Sequence, residues 1–106
     1  MEKGKARDRM IEMTTNGERI KLGESYAIAA YEGSKITWKW QAGDYPFSIQ
    51  FGPKAPLLPA KDKAVSIYID EVAAEPFLPV KYTIAAFVDG KVLILDPVLV
   101  RIPPSD

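Results

Sequence analysis

The stretch Ile36-Thr37-Trp38-Lys39-Trp40, followed by Tyr45-Pro46-Phe47-Ser48-Ile49-Gln50-Phe51, decides the fold of this chain. In both segments large apolar residues recur at every second position, and polar residues lie between them. This period of two is typical of β-strands that bury one face. The intervening Gln41-Ala42-Gly43-Asp44 has the composition of a turn. Two aromatic strand faces can supply much of the core of a small β-sandwich.

The rest of the chain divides into short alternating segments separated by turn sequences. Asn16-Gly17 and Asp89-Gly90 predict tight hairpins, although a looser connection across the sandwich fits the first equally well. One helical turn is expected at residues 72–75, before Pro76 ends it. The predicted strands cover residues 10–14, 25–31, 36–40, 47–51, 63–71, 80–88, 91–95 and 98–102, with residues 20–22 returning from the first turn. Their spacing predicts an all-β, Greek-key sandwich of seven or eight strands.

The proline-rich segment Pro53–Pro59 is predicted to be a long extended loop, because its three prolines disfavour both a hydrogen-bonded ladder and a helix. Leu57 and Leu58 are expected to pack against the sandwich; an exposed apolar docking patch is the alternative.

Length and composition indicate one globular domain. The chain has 106 residues, of which 47% are hydrophobic and 26% charged. Residues 1–9 are expected to form a flexible polar tail and residues 10–106 a single domain. No segment has the length or apolar content of a signal peptide or a membrane span, so we expect no membrane partner and a cytoplasmic location by default. Export stays open if the natural N-terminus has been trimmed.

Charge and residue counts exclude several classes of function. With 14 basic and 14 acidic residues the net charge is zero, which argues against a nucleic-acid partner. Cysteine and histidine are both missing from the chain. Their absence removes disulfides, thiolate–imidazole metal sites and the usual catalytic triads. We therefore expect no metal and no cofactor.

Several segments together resemble the cupredoxins: Tyr31-Glu32-Gly33-Ser34-Lys35-Ile36-Thr37-Trp38, then Tyr45-Pro46-Phe47-Ser48-Ile49, then Tyr82-Thr83-Ile84-Ala85-Ala86, and a final strand. In that family an Ile/Val-Thr-Trp strand leads into a Pro-His-x-Val segment, and a later Tyr-x-x-x-Cys strand leads into a ligand-bearing loop. The resemblance covers roughly residues 23–102 and implies a cupredoxin-like fold.

The copper ligands of the cupredoxins do not carry over to this chain. Phe47 stands where the family has its first histidine, and the cysteine position falls at or near Ala86. The loop from Val88 to Asp96 has neither histidine nor methionine. The resemblance therefore implies a metal-free relative that does not transfer electrons, with Phe47 filling apolar space where the site would lie.

Catalysis is not expected. Asp70-Glu71 is the only adjacent acidic pair inside the chain, and neighbours on a strand face opposite sides, so the two cannot flank one bond. Asp96 before Pro97 is expected to accept backbone N–H groups and fix the start of the last strand. The chain has no nucleophile elbow, P-loop or dinucleotide fingerprint. An enzyme whose site forms only on oligomerisation is the weakest of the alternatives.

Two surfaces are candidates for binding. Phe87, Leu93 and Leu95 are out of phase with the inward residues around them and predict an exposed apolar patch on the second hairpin, for an unknown protein partner or for a homodimer. Cover by a second sheet, the N-terminal segment or the proline-rich loop is the alternative for that patch. The rival hypothesis is a small-ligand or carbohydrate site at Trp40, Tyr45 and the Pro53–Pro59 loop. The phase that Trp38 and Trp40 share with Ile36 instead predicts buried rings.

Overall fold

The computed structural model describes residues 7–103. Within that range the chain is almost entirely β-structure, with one short helix. The elements in chain order are β1 (Arg9–Thr15), β2 (Ile20–Leu22), β3 (Ala27–Tyr31), β4 (Lys35–Trp40), β5 (Phe47–Gln50), β6 (Leu58–Pro59), β7 (Ala64–Tyr68), α1 (Ile69–Val72), β8 (Val80–Lys81), β9 (Thr83–Val88), β10 (Lys91–Leu95) and β11 (Val98–Ile102). The prediction of an all-β sandwich is confirmed.

The described strands form three sheets, with the orders β2-β1-β4-β7, β10-β9-β5-β6 and β3-β11-β8. Both predicted hairpins are present, since β1 pairs with β2 and β9 pairs with β10, each antiparallel. Two pairings are parallel, β1 with β4 and β11 with β3. Neighbours in a sheet are thus often distant in sequence, and the core is closed by long-range contacts.

The core lies where the alternating faces predicted it. Trp38 on β4 is fully buried, and its ring centroid is 5.4 Å from that of Tyr82, in an edge-to-face arrangement. Phe51, just after β5, stacks on Tyr82 at 5.1 Å and lies 5.8 Å from Trp38. These three rings connect the β4 sheet to the β5 sheet, so aromatic packing joins the two layers.

The predicted strand over residues 80–88 is divided at Tyr82. β8 pairs with β11 in one sheet, whereas β9 pairs with β5 and β10 in another. Between them the Tyr82 N–H donates to the Pro97 carbonyl at 3.0 Å, an ordinary length for a backbone hydrogen bond. The alternation of buried side chains continues through the change of sheet, and therefore the sequence pattern did not reveal it.

The helix begins earlier than expected. Residues 69–71 were predicted as strand and residues 72–75 as a helical turn, but α1 covers Ile69–Val72. Ile69 is fully buried, as its phase requires, and its N–H bonds to the Ser34 carbonyl. Asp70 accepts the Gly33 N–H at 3.1 Å. These contacts with the turn before β4 stabilise the helix, and they are not local in sequence.

The proline-rich loop contains a short ladder that was not expected. Leu58 pairs with Ile49, and Pro59 pairs with Ser48, so β6 is an edge strand of the β5 sheet. Proline is tolerated there because an edge strand leaves one side of its backbone unpaired. Leu58 is half-buried as predicted, but Leu57 is exposed.

The N-terminal strand begins at Arg9, one residue before the predicted boundary, and the Arg7 N–H donates to the Ser34 hydroxyl at 3.2 Å. Residues 1–6 of the predicted tail lie outside the described residues. Among residues 7–103, no helix is long and apolar enough to cross a membrane.

Candidate functional site

The β9–β10 hairpin determines which side chains reach the surface. Asp89 and Gly90 have φ angles of 49° and 82°, the left-handed pair that a type I′ turn requires. A two-residue turn pairs Val88 with Lys91 and fixes every later pair. Phe87 therefore lies opposite Val92, on the outer side of the sheet.

The predicted exposure of Leu93 and Leu95 is wrong. Leu93 lies opposite the inward-facing Ala86 and is only 7% exposed, and Leu95 is half-buried. The outer positions of β10 are instead Val92 and Ile94, which are 65% and 62% exposed. Together with Phe87, which is 52% exposed, they form a surface that we call the outer apolar face.

The outer apolar face continues onto β5. Phe87 and Val92 border a shallow open depression whose remaining lining residues are Pro46, Phe47, Ser48, Ala85 and Ala86. None of these side chains carries a charge. The surface can therefore exclude water from an apolar group without burying an ion.

The outer side of the opposite sheet has a different character. At its centre the hydroxyls of Thr37 and Ser66 are 2.7 Å apart and hydrogen-bonded across β4 and β7. Glu12 and Lys39 lie beside them, opposite each other on β1 and β4, and both are exposed. Met10 and Tyr68 are also exposed on this side, but polar and charged side chains lie among them, whereas the exposed outer residues of β9 and β10 form an uninterrupted apolar group.

The structure does not support an exposed platform at Trp40. Its ring is 6% exposed, its indole N–H donates to the Tyr45 carbonyl at 2.9 Å, and the two rings pack edge-to-face at 5.3 Å. A ligand cannot stack on a ring that is already covered on its faces and hydrogen-bonded at its edge.

The proline-rich loop borders an open cleft of about 410 Å³. The cleft lies between the loop and the β7–α1 segment, and its lining residues are Phe51, Ala55, Pro56, Leu58, Ser66, Ile67, Glu71 and Val72. The lining is mixed, since Ser66 and Glu71 lie among the apolar side chains, and Glu71 also accepts the Tyr68 N–H at 2.9 Å. The rival hypothesis placed a ligand site at this loop, but the structure lines the cleft with residues of β7 and α1 and not with Trp40 or Tyr45.

The two positions that the resemblance to cupredoxins would equate with copper ligands are direct neighbours. Phe47 on β5 and Ala86 on β9 are register partners, and both side chains are buried. A phenyl ring and a methyl group offer no lone pair to a metal. Among the described residues, no three histidine, cysteine, aspartate or glutamate side chains cluster closely enough to hold a metal ion.

The acidic residues considered for catalysis have structural contacts. Asp96 accepts the Thr83 hydroxyl at 2.7 Å, rather than the backbone N–H groups that were expected. Asp70 accepts the Gly33 N–H in the turn before β4, and Glu71 accepts the Tyr68 N–H at the end of β7. Burial raises the pKa of Tyr82 to about 12, with the Trp38 hydrogen bond opposing this rise, so its hydroxyl stays protonated at neutral pH.

The sequence matches no protein-family model. A search of curated proteins also finds no similar sequence.

Proposed function

We propose that this protein is a non-catalytic, metal-free, cupredoxin-like module that acts by binding another protein. The observation that carries the proposal is the outer apolar face, where Phe87, Val92 and Ile94 are all more than half exposed on two paired strands. Isolated exposed apolar residues are ordinary on protein surfaces, but a contiguous group on a rigid sheet is typical of an interaction site.

The cupredoxin-like part of the proposal is supported by the relation between Phe47 and Ala86. The resemblance placed a ligand of one copper ion at each position from sequence alone. Ligands of a common ion must lie close together, and these residues are paired across β5 and β9. The adjacency of Phe47 and Ala86, which lie 39 residues apart in the chain, therefore supports the resemblance.

An apolar surface on paired strands favours a partner that contributes apolar side chains. The depression beside Phe87 and Pro46 can receive such a side chain, and Ser48 adds a polar residue to its lining. Aromatic and aliphatic anchors in pockets of this kind carry most of the binding energy in protein interfaces.

The test is a comparison of matched variants in an affinity experiment. Immobilised wild-type protein is compared with a Phe87→Ser/Ile94→Ser variant and with a Met10→Ser/Tyr68→Ser control, whose residues are about equally exposed on the opposite sheet. A protein identified by mass spectrometry that binds wild type and control, but not the Phe87→Ser/Ile94→Ser variant, supports the proposal. Equal binding of every retained protein to all three forms contradicts it.

The metal-free part is tested by titration with copper. Because the residues at the aligned positions are Phe47 and Ala86, Cu(II) should produce no intense blue absorption. A stoichiometric thiolate-type band would overturn this part of the proposal.

The cleft beside the proline-rich loop supports a second candidate, a small-ligand site. Its volume of about 410 Å³ falls within the range of small-molecule pockets. Its lining combines apolar side chains with Ser66 and Glu71, which suits a small ligand that carries both apolar and polar groups. Phe51 lines the cleft and lies 5.8 Å from Trp38, so a bound ligand should change tryptophan emission. Emission that stays constant across a panel of apolar ligands and glycans would argue against this candidate.

A further inference from the structure

Strand β10 has a free backbone edge. It is the last strand of its sheet, and no other strand of the described residues is hydrogen-bonded to its far side, although the short strand β2 of another sheet approaches β10 to within 8 Å between Cα atoms. The Phe87 N–H donates to the Pro46 carbonyl at 2.9 Å, so the backbone of Phe87 bonds toward β5 and not toward Val92. In antiparallel pairs the bonded and non-bonded positions alternate. The N–H and C=O groups of Val92 and Ile94 therefore point away from β9, along the open edge.

Other sheet edges of the described chain are protected. On β3, the Arg9 guanidinium donates to the Ala29 carbonyl at 2.9 Å and occupies the edge. On β7, Ala64 bonds back to Lys61, and the Tyr68 N–H is taken by Glu71. Short strands, charges, prolines and side-chain caps are the usual means by which proteins prevent edge pairing.

The remaining three edges are short. β6 and β8 have two residues each, with Pro59 inside the first and Pro79 just before the second. β2 has three residues, with Lys21 at its centre. By contrast β10 has five residues and a single charge, Lys91, whose ammonium pairs with Glu18 at 3.1 Å. Its remaining positions, Val92 to Leu95, carry neither charge nor proline.

We propose that the β10 edge pairs with the β10 edge of a second copy of this chain, antiparallel and centred on Leu93. The inference rests on the proposed function, that the molecule works through protein contacts, and it names one partner and the surface that receives it. A two-fold axis through Leu93 places Val92 of one copy opposite Ile94 of the other, and the reverse.

This register satisfies two requirements, which go together because backbone groups and side chains both alternate in direction along a strand. The groups that must bond are those of Val92 and Ile94, and these are the ones that face the open edge. The side chains of paired residues must also point to the same side of the sheet, and Val92 and Ile94 are both outward. A shift by one residue would pair outward Ile94 with inward Leu93 and fail the second requirement.

The pairing also makes the outer apolar faces of the two copies continuous with each other. The two β10-β9-β5-β6 sheets join through β10, and both outer apolar faces lie on the same side of the joined sheet. The β-branched Val92 and Ile94 become cross-strand neighbours, a favourable pairing for a sheet surface. The zero net charge of the chain imposes no overall repulsion between copies.

The test combines sedimentation velocity with backbone amide exchange over a range of concentrations. Val92→Pro removes an N–H that faces the open edge and leaves the hydrogen bonds to β9 in place, so it should weaken dimerisation at least ten-fold. Ile94→Lys, which keeps every backbone group and adds a charge at the edge, should do the same and serves if the proline variant does not fold. Phe87 lies one strand away from the edge, so Phe87→Ser should change the dissociation constant of the dimer by no more than about three-fold.

Amide exchange identifies the bonded groups. The N–H groups of Val92 and Ile94 should become protected as the dimer forms, whereas that of Leu93, which bonds toward β9, should be protected at every concentration. A dimer that Phe87→Ser abolishes, without added protection at Val92 and Ile94, would indicate face-to-face packing and overturn the inference.

A chain that stays monomeric at all concentrations also overturns the inference. The proposed function would survive that result if a partner protein still required the outer apolar face. Protection of Val92 and Ile94 that arises only when such a partner is added would assign the edge to that partner and not to a second copy. Conversely, an edge-paired dimer with no partner dependent on Phe87 would retain the inference and narrow the function to self-association.

Discussion

Trp38 donates its indole N–H to the hydroxyl of Tyr82 at 3.2 Å, in the interior of the sandwich. Trp38 is on the central strand β4 of one sheet, and Tyr82 is the residue at which the chain passes from β8 to β9. Both side chains are almost completely buried. The bond therefore connects the middle of one layer to the point where the chain changes sheet.

Replacing Tyr82 by phenylalanine should destabilise the fold without enlarging any cavity. The ring packing with Trp38 and Phe51 stays, but the buried indole N–H of Trp38 loses its acceptor. An unsatisfied buried donor costs about 1–3 kcal/mol. Chemical denaturation monitored by tryptophan fluorescence should show this loss. Tyr26→Phe, at an exposed tyrosine, is the control and should change the free energy of unfolding by less than about 0.5 kcal/mol. Equal effects of the two substitutions would contradict the role of the hydrogen bond.

The same residue should make stability depend on alkaline pH. The pKa of Tyr82 is raised from 10.0 in the unfolded chain to about 12, mainly because burial disfavours the phenolate. Its contribution is fully present below pH 10 and is lost as the pH rises toward 12, because the unfolded chain releases the proton first. The slope is about 1 kcal/mol per pH unit.

This pH dependence is isolated by comparison with Tyr82→Phe. The difference in unfolding free energy between the two proteins should be constant from pH 7 to 9 and should shrink between pH 10 and 12. Parallel curves throughout would show that the phenol titrates normally in the folded state.

The central strands could be predicted from sequence because their two faces differ. In β4, large apolar residues alternate with Thr37 and Lys39, and the structure buries Ile36, Trp38 and Trp40 as that pattern requires. When one face is apolar and the other polar, a shift by one residue would expose the whole core, and the sequence therefore determines the phase.

The outer apolar face could not be predicted in the same way, because β10 is apolar on both sides. Val92, Leu93, Ile94 and Leu95 form an unbroken run, and hydrophobicity gives it no phase. The turn supplies the missing information, since two residues between Val88 and Lys91 place Leu93 opposite Ala86. Counting pairs back from Asp89-Gly90 gives the correct outer residues.

The change of sheet at Tyr82 and the start of α1 at Ile69 were beyond prediction for another reason. Buried positions continue their alternation through both points, so the pattern is the same whether the backbone continues straight or turns. The turns are determined by contacts with distant residues, the Pro97 carbonyl for Tyr82 and the Ser34 carbonyl for Ile69.

The phase of β10 can be measured with two neighbouring substitutions. Leu93→Ala removes buried methyl groups and should lower the free energy of unfolding by about 2–5 kcal/mol. Ile94→Ala, one position further along the strand, removes exposed groups and should change it by about 0.5 kcal/mol or less. Thermal or denaturant unfolding at a concentration low enough to keep the chain monomeric provides both values. A larger effect at Ile94 than at Leu93 would restore the original assignment of the outer residues.

The loop before β8 holds an aromatic residue in an unfavourable backbone conformation. Phe77 has a φ angle of 63°, and its side chain is mostly exposed, so packing offsets little of the strain. The loop is fixed because the Phe77 N–H donates to the Arg101 carbonyl at 2.9 Å and the Arg101 guanidinium donates to the Ala74 carbonyl at 2.8 Å. Asparagine adopts left-handed angles more easily than phenylalanine. Phe77→Asn should therefore raise the free energy of unfolding by about 0.5–1 kcal/mol, because it relieves part of the strain of a left-handed backbone. The control is Leu78→Asn, at an exposed neighbour whose φ angle is not positive, and it should give no such gain. A loss of stability in Phe77→Asn would mean that the phenyl ring contributes more packing than its exposure indicates.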